Sequence, residues 1–478
     1  MDTILQALEA YADSGVYPMH MPGHKRNLAG LSDMLPWTLD ITELPGFDNL
    51  QNPTGILASS AERASALWGS ETAFFLVNGS TVGILAGIRA CTHPGDRVLL
   101  ARNCHQSVYH ALELFSLTPV FLEPPVIKDF GICGSISAKA VARVLDTESE
   151  IRLAVITSPT YEGILSDIRG ISDMLHERGV PLLADEAHGA HLGLSPGFPP
   201  GAVQSGADIV VHSLHKTLPS LTQTGILHLQ GDLVPPEAVR RALNALQTSS
   251  PSYPLLASID SCVAKLREPA GRALFGSWRS RLSGFSRSMT ALTRLRVFHC
   301  GQAAAGDAVF AFDPGKLVIS CKNTSLSGKR LAETLASAYG IQVEMAMGSY
   351  VLAMTSICDT DEGVRRLSDA LLKIDRACVP VPDGSFSDVP LPPPRQALSI
   401  AAAACLPFET IPLDESVGRI SQEYVWAYPP GIPFLAPGQE IGTEFIEAVR
   451  GLSAQGVTLN STGHGMPGQI RVVRFPPK

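Results

Sequence analysis

A lysine that ends a buried strand beside a second cation-forming side chain is a candidate nucleophilic amine for Schiff-base chemistry. Lys216 has that setting. It stands in VVHSLHKTL (residues 210–218), where a short apolar run reads as a buried strand ending in polar residues, with Ser213 and His215 crowded around the lysine. A second apolar run, PLLADEAHGAH (residues 181–191), delivers Asp185 at its end and His188 three residues later. An amine and a buried carboxylate on two nearby strand ends are what pyridoxal phosphate needs. The lysine bonds its aldehyde carbon, and the carboxylate keeps the ring nitrogen protonated so that the ring accepts electrons. Alone, Lys216 reads as a solvated loop lysine; the pairing with Asp185 favours the chemical reading.

Other segments supply what such a cofactor lacks. Its phosphate needs backbone N–H groups and hydroxyls at a helix N-terminus, and NGST (residues 78–81) offers Gly79, Ser80 and Thr81 between an apolar strand and the next helix. The same segment also reads as ordinary helix capping by Ser80. RNCHQS (residues 102–107) brings His105, whose planar ring either stacks on the cofactor or serves the structure. TSPTYEG (residues 157–163) ends another strand with hydroxyls and Glu162, facing the ring or the substrate, or forming only a proline turn. TSSPSYP (residues 248–254) is a turn-rich loop or a hydroxyl-bearing phosphate contact. His188 falls near the cofactor, and Ser213 and His215 reach toward the phosphate.

These residues need strands and helices to aim them. From residue 61 the chain alternates apolar runs with helical segments (TAFFLV, DRVLLARN, TPVFLEPP, RLAVITSPT, VPLLADEA, ADIVVHSL, TGILHLQ), the pattern of an α/β domain with a mostly parallel sheet. Ligands of such sheets collect beyond the carboxyl ends of the strands, where the polar residues above fall. The expected organisation is an N-terminal helix with interface loops over residues 1–60, a large cofactor-binding domain over 61–258 and a small α+β domain over 259–378. In the small domain AVFAFDP, KLVISC and SYVLAMTS read as strands. A proline-rich linker over 379–394 and a C-terminal region over 395–478 complete the chain.

In order along the chain, HMPGHK, TELPGFDNL, VNGSTVG, RNCHQS, SPTYEG, DEAHGAH, SLHKTL and TSSPSYPLLASID resemble the motifs of the bacterial ornithine/lysine/arginine decarboxylases, which are fold type I enzymes of the aspartate aminotransferase superfamily. The likeness runs from about residue 18 to 260 and extends more weakly through YPPGIP and APGQE. It implies that Lys216 carries pyridoxal phosphate, Asp185 pairs with the ring nitrogen, His105 stacks on the ring, and Ser80 and Thr81 hold the phosphate. It implies α-decarboxylation of a basic L-amino acid, arginine slightly ahead of lysine and ornithine, with Lys216 or His215 as proton donor to the α-carbon. The substrate's distal cation then needs carboxylates, for which Glu43 and Asp48 are the candidates. The resemblance is to a compact form of the family, without an N-terminal wing, working as a homodimer or larger homo-oligomer. The segment NSTGHGMPGQIRVV departs from the family pattern.

Other classes use the same parts. An aminotransferase or a carbon–sulfur lyase shares the lysine and the aspartate, but no arginine sits in an obvious carboxylate-binding motif and no cysteine has an evident mobile-loop setting. A catalytically inactive homologue is opposed by the intact set of Lys216, Asp185 and His105. The chain has 478 residues, 45% of them hydrophobic and 17% charged, with a formal net charge of −8. That composition fits a packed enzyme and disfavours a nucleic-acid partner. Nine cysteines without CxxC spacing suggest reduced thiols and no metal site. With no signal peptide or membrane-spanning run read from the sequence, the expected location is the cytoplasm.

Overall fold

The computed structural model describes residues 3–14, 22, 36–298, 308–381, 394–427 and 431–475. HMPGHK (except Pro22), most of the proline-rich linker and the start of YPPGIP lie outside them. The chain separates into two compact units, each discontinuous in sequence: Met1–Cys91 with Pro181–Ser277, and Thr92–Val180 with Trp278–Lys478. The boundary read at residue 258 falls inside the helix Tyr253–Arg267.

In the first unit four strands run in the order Thr72–Leu76, Gly225–Leu229, Ile209–Ser213, Leu182–Asp185. The last two are parallel, as the alternating sequence implies, whereas Gly225–Leu229 is antiparallel to both its neighbours. Leu76 pairs with Gly225, Gly225 with Ser213, and Asp185 with Val211. This register brings the approach to NGST, the approach to Lys216 and the start of DEAHGAH to one end of the sheet. The helix Gly79–Cys91 lies close against these strands because Gly83 and Gly87 leave room. A Cβ on Gly83 would come within 2.6 Å of Leu76 Cδ1, and one on Gly87 within 2.6 Å of Leu183 Cδ1. The N-terminal helix Ile4–Asp13 starts with a capping box between Thr3 and Gln6. It docks through Asp260, whose buried carboxylate accepts from Ile4 N–H (2.8 Å), Ser60 Oγ (2.5 Å) and Arg63 Nη2 (2.6 Å).

In the second unit the strand Arg97–Ala101 lies between Ile151–Thr157 and Thr118–Leu122, parallel to both. A separate antiparallel sheet joins Arg296–Val297, Lys316–Ser320, Tyr350–Met354 and Met345–Ala346, with the helices Gly328–Tyr339 and Asp361–Ala377 in the same unit. The C-terminal part has its own apolar core around Val425, Leu435, Phe445, Ile470 and Val472.

Three local readings change. TSSPSYP is a loop only up to Ser252, because Tyr253 opens a 15-residue helix with its proline in the first turn, where no amide hydrogen is needed. Pro236 opens the helix Pro236–Leu246 in the same way. AVFAFDP contributes only Ala311–Phe312 to a strand, paired with Ile164–Leu165. Lys216 sits in a single helical turn, Leu214–Thr217, and not in an open loop.

Candidate active site

Lys216 follows a strand buried at all five positions and lies in the turn Leu214–Thr217 that continues it. Its Nζ lies 3.0 Å from Nε2 of His188, which is 7% exposed. Asp185 ends the neighbouring parallel strand and is 4% exposed. Among the described residues its one hydrogen bond comes from Ala187 N–H at 3.2 Å. Burial pushes the Asp185 carboxyl above its ordinary range, against the Lys216 ammonium and the Ala187 N–H, which pull it down. A carboxylate so poorly solvated gains most from a cation placed against it, and a protonated ring nitrogen is such a cation.

His215 is half-buried, and its Nδ1–H donates to Thr224 O at 3.0 Å. Burial holds this imidazole below its ordinary pKa; the Thr224 bond opposes that and the Lys216 charge adds to it. His215 is therefore the neutral ring beside Lys216, with Nε2 as its acceptor. Ser213 is fully buried and its hydroxyl has no hydrogen-bond partner among the described residues; the Thr217 hydroxyl is in the same condition.

NGST forms the start of the helix Gly79–Cys91. Gly79 takes φ +74°, its N–H donates to Gln223 O at 2.9 Å, and a Cβ there would meet nothing within 4 Å. Ser80 and Thr81 are the second and third helical residues, so Ser80 is not the cap. Asn78 instead accepts from Thr248 N–H at 3.1 Å, which ties the turn to TSSPSYP. An open helix N-terminus bearing two hydroxyls, an orphaned buried hydroxyl on Ser213 and an under-solvated carboxylate beside a lysine fit pyridoxal phosphate. When bound, the cofactor supplies a sink for the electron pair released at the substrate's α-carbon. Lys216, Asp185, Gly79, Ser80, Thr81 and Ser213 are the residues of this unit that would hold it.

The remaining candidates divide. Asp48 takes φ +71° and its carboxylate accepts from the N–H groups of Asn49, Thr54, Gly55 and Leu57, at 2.7–3.1 Å. Burial alone would raise this carboxyl, but those N–H groups outweigh it and hold it below its ordinary range. Asp48 is thus committed to starting the helix Ile56–Trp68. Glu43 makes no side-chain hydrogen bond among the described residues, and burial raises its carboxyl. Two candidates belong to the second unit. His105 caps the helix Gln106–Leu114, its Nδ1 accepting from Ser107 N–H at 3.2 Å, which leaves the ring hydrogen on Nε2. Glu162 accepts from Tyr350 O–H at 2.9 Å. Sequence reasoning passed over the Glu186–His212 contact (2.8 Å) behind Asp185; the acidic residue next to Asp185 and a histidine inside an apolar strand were the available signals.

A family model for the Orn/Lys/Arg decarboxylase major domain matches residues 3–360, and one for the C-terminal domain of the same family matches residues 389–467. An arginine decarboxylase from Halalkalibacterium halodurans is 32% identical over 95% of this chain and 94% of its own. One from Bacillus subtilis is 31% identical, over 98% and 96%. The solved structure of the Escherichia coli constitutive lysine decarboxylase superposes with a TM-score of 0.79 at 20% identity, over 98% of this chain and 82% of that one, which establishes the shared fold. With the family matches come the cofactor that the site fits, pyridoxal phosphate, and decarboxylation of a basic amino acid. The chain belongs to the ornithine/lysine/arginine decarboxylase family.

Proposed function

We propose that this decarboxylase acts on L-arginine ahead of L-lysine and L-ornithine, releasing CO2 and the corresponding amine of the polyamine type. The observation that carries the proposal is the meeting of Lys216, His188 and Asp185 at one end of the sheet, with an orphaned Ser213 hydroxyl and the open NGST turn at the same end. Lys216 bonds the cofactor aldehyde, Asp185 faces the ring nitrogen, and Ser80, Thr81, Gly79 and Ser213 take the phosphate. The family resemblance makes His105 the candidate for stacking on the ring. Decarboxylation consumes one proton at the α-carbon. Lys216 Nζ, with His188 Nε2 to share its proton, is the donor favoured by the 3.0 Å contact; His215, held neutral, is the weaker candidate. Glu43, without a hydrogen bond of its own, takes the substrate's distal cation in preference to Asp48.

Arginine is placed first because the relatives named arginine decarboxylases align over more than nine-tenths of the chain at 30–32% identity. Those named lysine decarboxylases reach 25–27% over 59–85% of it. The working form is a homodimer or larger homo-oligomer in the cytoplasm, a location favoured by cysteines scattered without CxxC spacing. Borohydride reduction of the purified holoenzyme should fix the cofactor on the peptide that contains Lys216, and an amine-product assay across arginine, lysine and ornithine should rank arginine first. A reducible adduct that persists at wild-type level in Lys216→Ala would overturn the assignment, and a ranking led by lysine or ornithine would overturn the substrate preference.

A further inference from the structure

We infer that Glu186 and His212 form a positioning pair that ties the strand end bearing Asp185 to the strand end bearing Ser213 and Lys216, and so sets the spacing of the groups that hold the cofactor. This rests on the assignment of Asp185 and Lys216 to pyridoxal phosphate.

Asp185 and Val211 are register partners in the parallel pair, so Glu186 and His212 are the next residues along. Neighbouring residues of a strand turn to opposite faces, which puts Asp185 and Ser213 on one side and Glu186 and His212 on the other. There Glu186 Oε2 meets His212 Nε2 at 2.8 Å, and Glu186 Oε1 accepts from Ala202 N–H at 2.9 Å. Both side chains are buried, at 2% and 0% exposure. The His212 ring is held by Trp68 and His228, with centroids 5.6 and 4.8 Å away. Trp68 Nε1 in turn donates to Ala190 O at 2.8 Å, and His228 Nδ1 lies 2.9 Å from Ser70 Oγ. The bond thus joins two strand ends from behind, and each carries cofactor-holding residues in front.

Its charge state follows from burial. Burial raises the Glu186 carboxyl well above its ordinary range, with Asp185 adding to the rise and Ala202 N–H and His191 opposing it. Burial pushes the His212 imidazole down to about 3, with His191 acting in the same direction. His228, whose ring packs against His212, is also driven well below its ordinary value by burial. Both directions favour the neutral form of the pair, in which Glu186 O–H donates to His212 Nε2. A charged Glu186 would set a second anion beside Asp185; the neutral pair leaves Asp185 as the anion for the ring nitrogen.

A neutral carboxyl can be copied by an amide. In Glu186→Gln the side-chain N–H donates to His212 Nε2 and the carbonyl accepts from Ala202, so the variant should bind pyridoxal phosphate and turn over close to wild type. Glu186→Ala breaks the tie. Its apo-protein should bind the cofactor about tenfold more weakly, and at saturating cofactor kcat should fall about tenfold while KM for arginine stays within about twofold, since Asp185 acts mainly on the transition state. Should Glu186→Ala fail to fold, His212→Phe breaks the same bond while keeping a ring against Trp68, and the same changes are expected. The wild-type apo-protein is the control: if it binds no pyridoxal phosphate, the functional reading fails. If it binds and the folded bond-breaking variants match it in cofactor affinity and kcat, the positioning pair is refuted. Equal defects in Glu186→Gln and Glu186→Ala refute it as well.

Discussion

Asp185 is buried with one hydrogen bond from Ala187, and its carboxyl is raised despite the Lys216 charge beside it. In the proposed site its value is electrostatic and is exerted on the cation that faces it. Asp185→Asn keeps the shape and loses the charge, so it should retain most of the cofactor while kcat falls roughly a hundredfold or more, the scale seen when an electrostatic catalytic group is removed. Cofactor absorbance and steady-state rates measured on the same preparation check this, and near-normal kcat would remove Asp185 from its role. At this scale much was legible in the chain: Lys216, Asp185 and His188 announce themselves by residue type at the ends of apolar runs. Glu186 and His212 did not, because their pairing depends on the register between two strands 26 residues apart in sequence. Asp48 read as a candidate for the substrate's distal cation for the converse reason. Its partners are backbone N–H groups, which every sequence contains and none displays.

Among the elements, the helix Gly79–Cys91 and the start of Ile56–Trp68 govern how the site is held. Gly87→Val would drive a branched side chain into Leu183 and Ile209, whose atoms already lie 2.6 and 3.3 Å from the position of a Cβ. Overpacking there should lower unfolding free energy by about 1–3 kcal/mol, read from urea denaturation. Asp48→Ala removes the carboxylate that receives the N–H groups at the start of Ile56–Trp68, and should cost about 1 kcal/mol at pH 7. Because the folded-state pKa of Asp48 is depressed, its contribution is fully present above the unfolded carboxylate value of about 4 and fades as pH falls through the lower folded value. The difference between wild type and Asp48→Ala should therefore shrink toward zero in denaturation curves taken at successively lower pH, and a gap that stayed constant would contradict the capping role. Many strands and helices were legible from apolar runs; the helix Pro236–Leu246 and the start of Tyr253–Arg267 were not, since a proline in a first turn reads in sequence as a break.

For the whole molecule, the α/β class could be read from alternation, but neither the order of strands in the sheet nor the division into two discontinuous units could. Each unit returns to a distant part of the chain, and nothing in local composition marks such a return. The proposed homo-oligomer predicts that light scattering of active enzyme gives at least twice the 50.8 kDa chain mass; a fully active monomer would reject it. The claim that stands above these is the reaction. The measurement that tests it most directly is incubation of the purified protein with pyridoxal phosphate and L-arginine in D2O, followed by mass spectrometry of the products. The account predicts equal amounts of CO2 and an amine carrying one deuterium on the former α-carbon, because an exchangeable donor such as Lys216 returns the proton. Formation of a keto acid, or no turnover with arginine, lysine or ornithine, would contradict it.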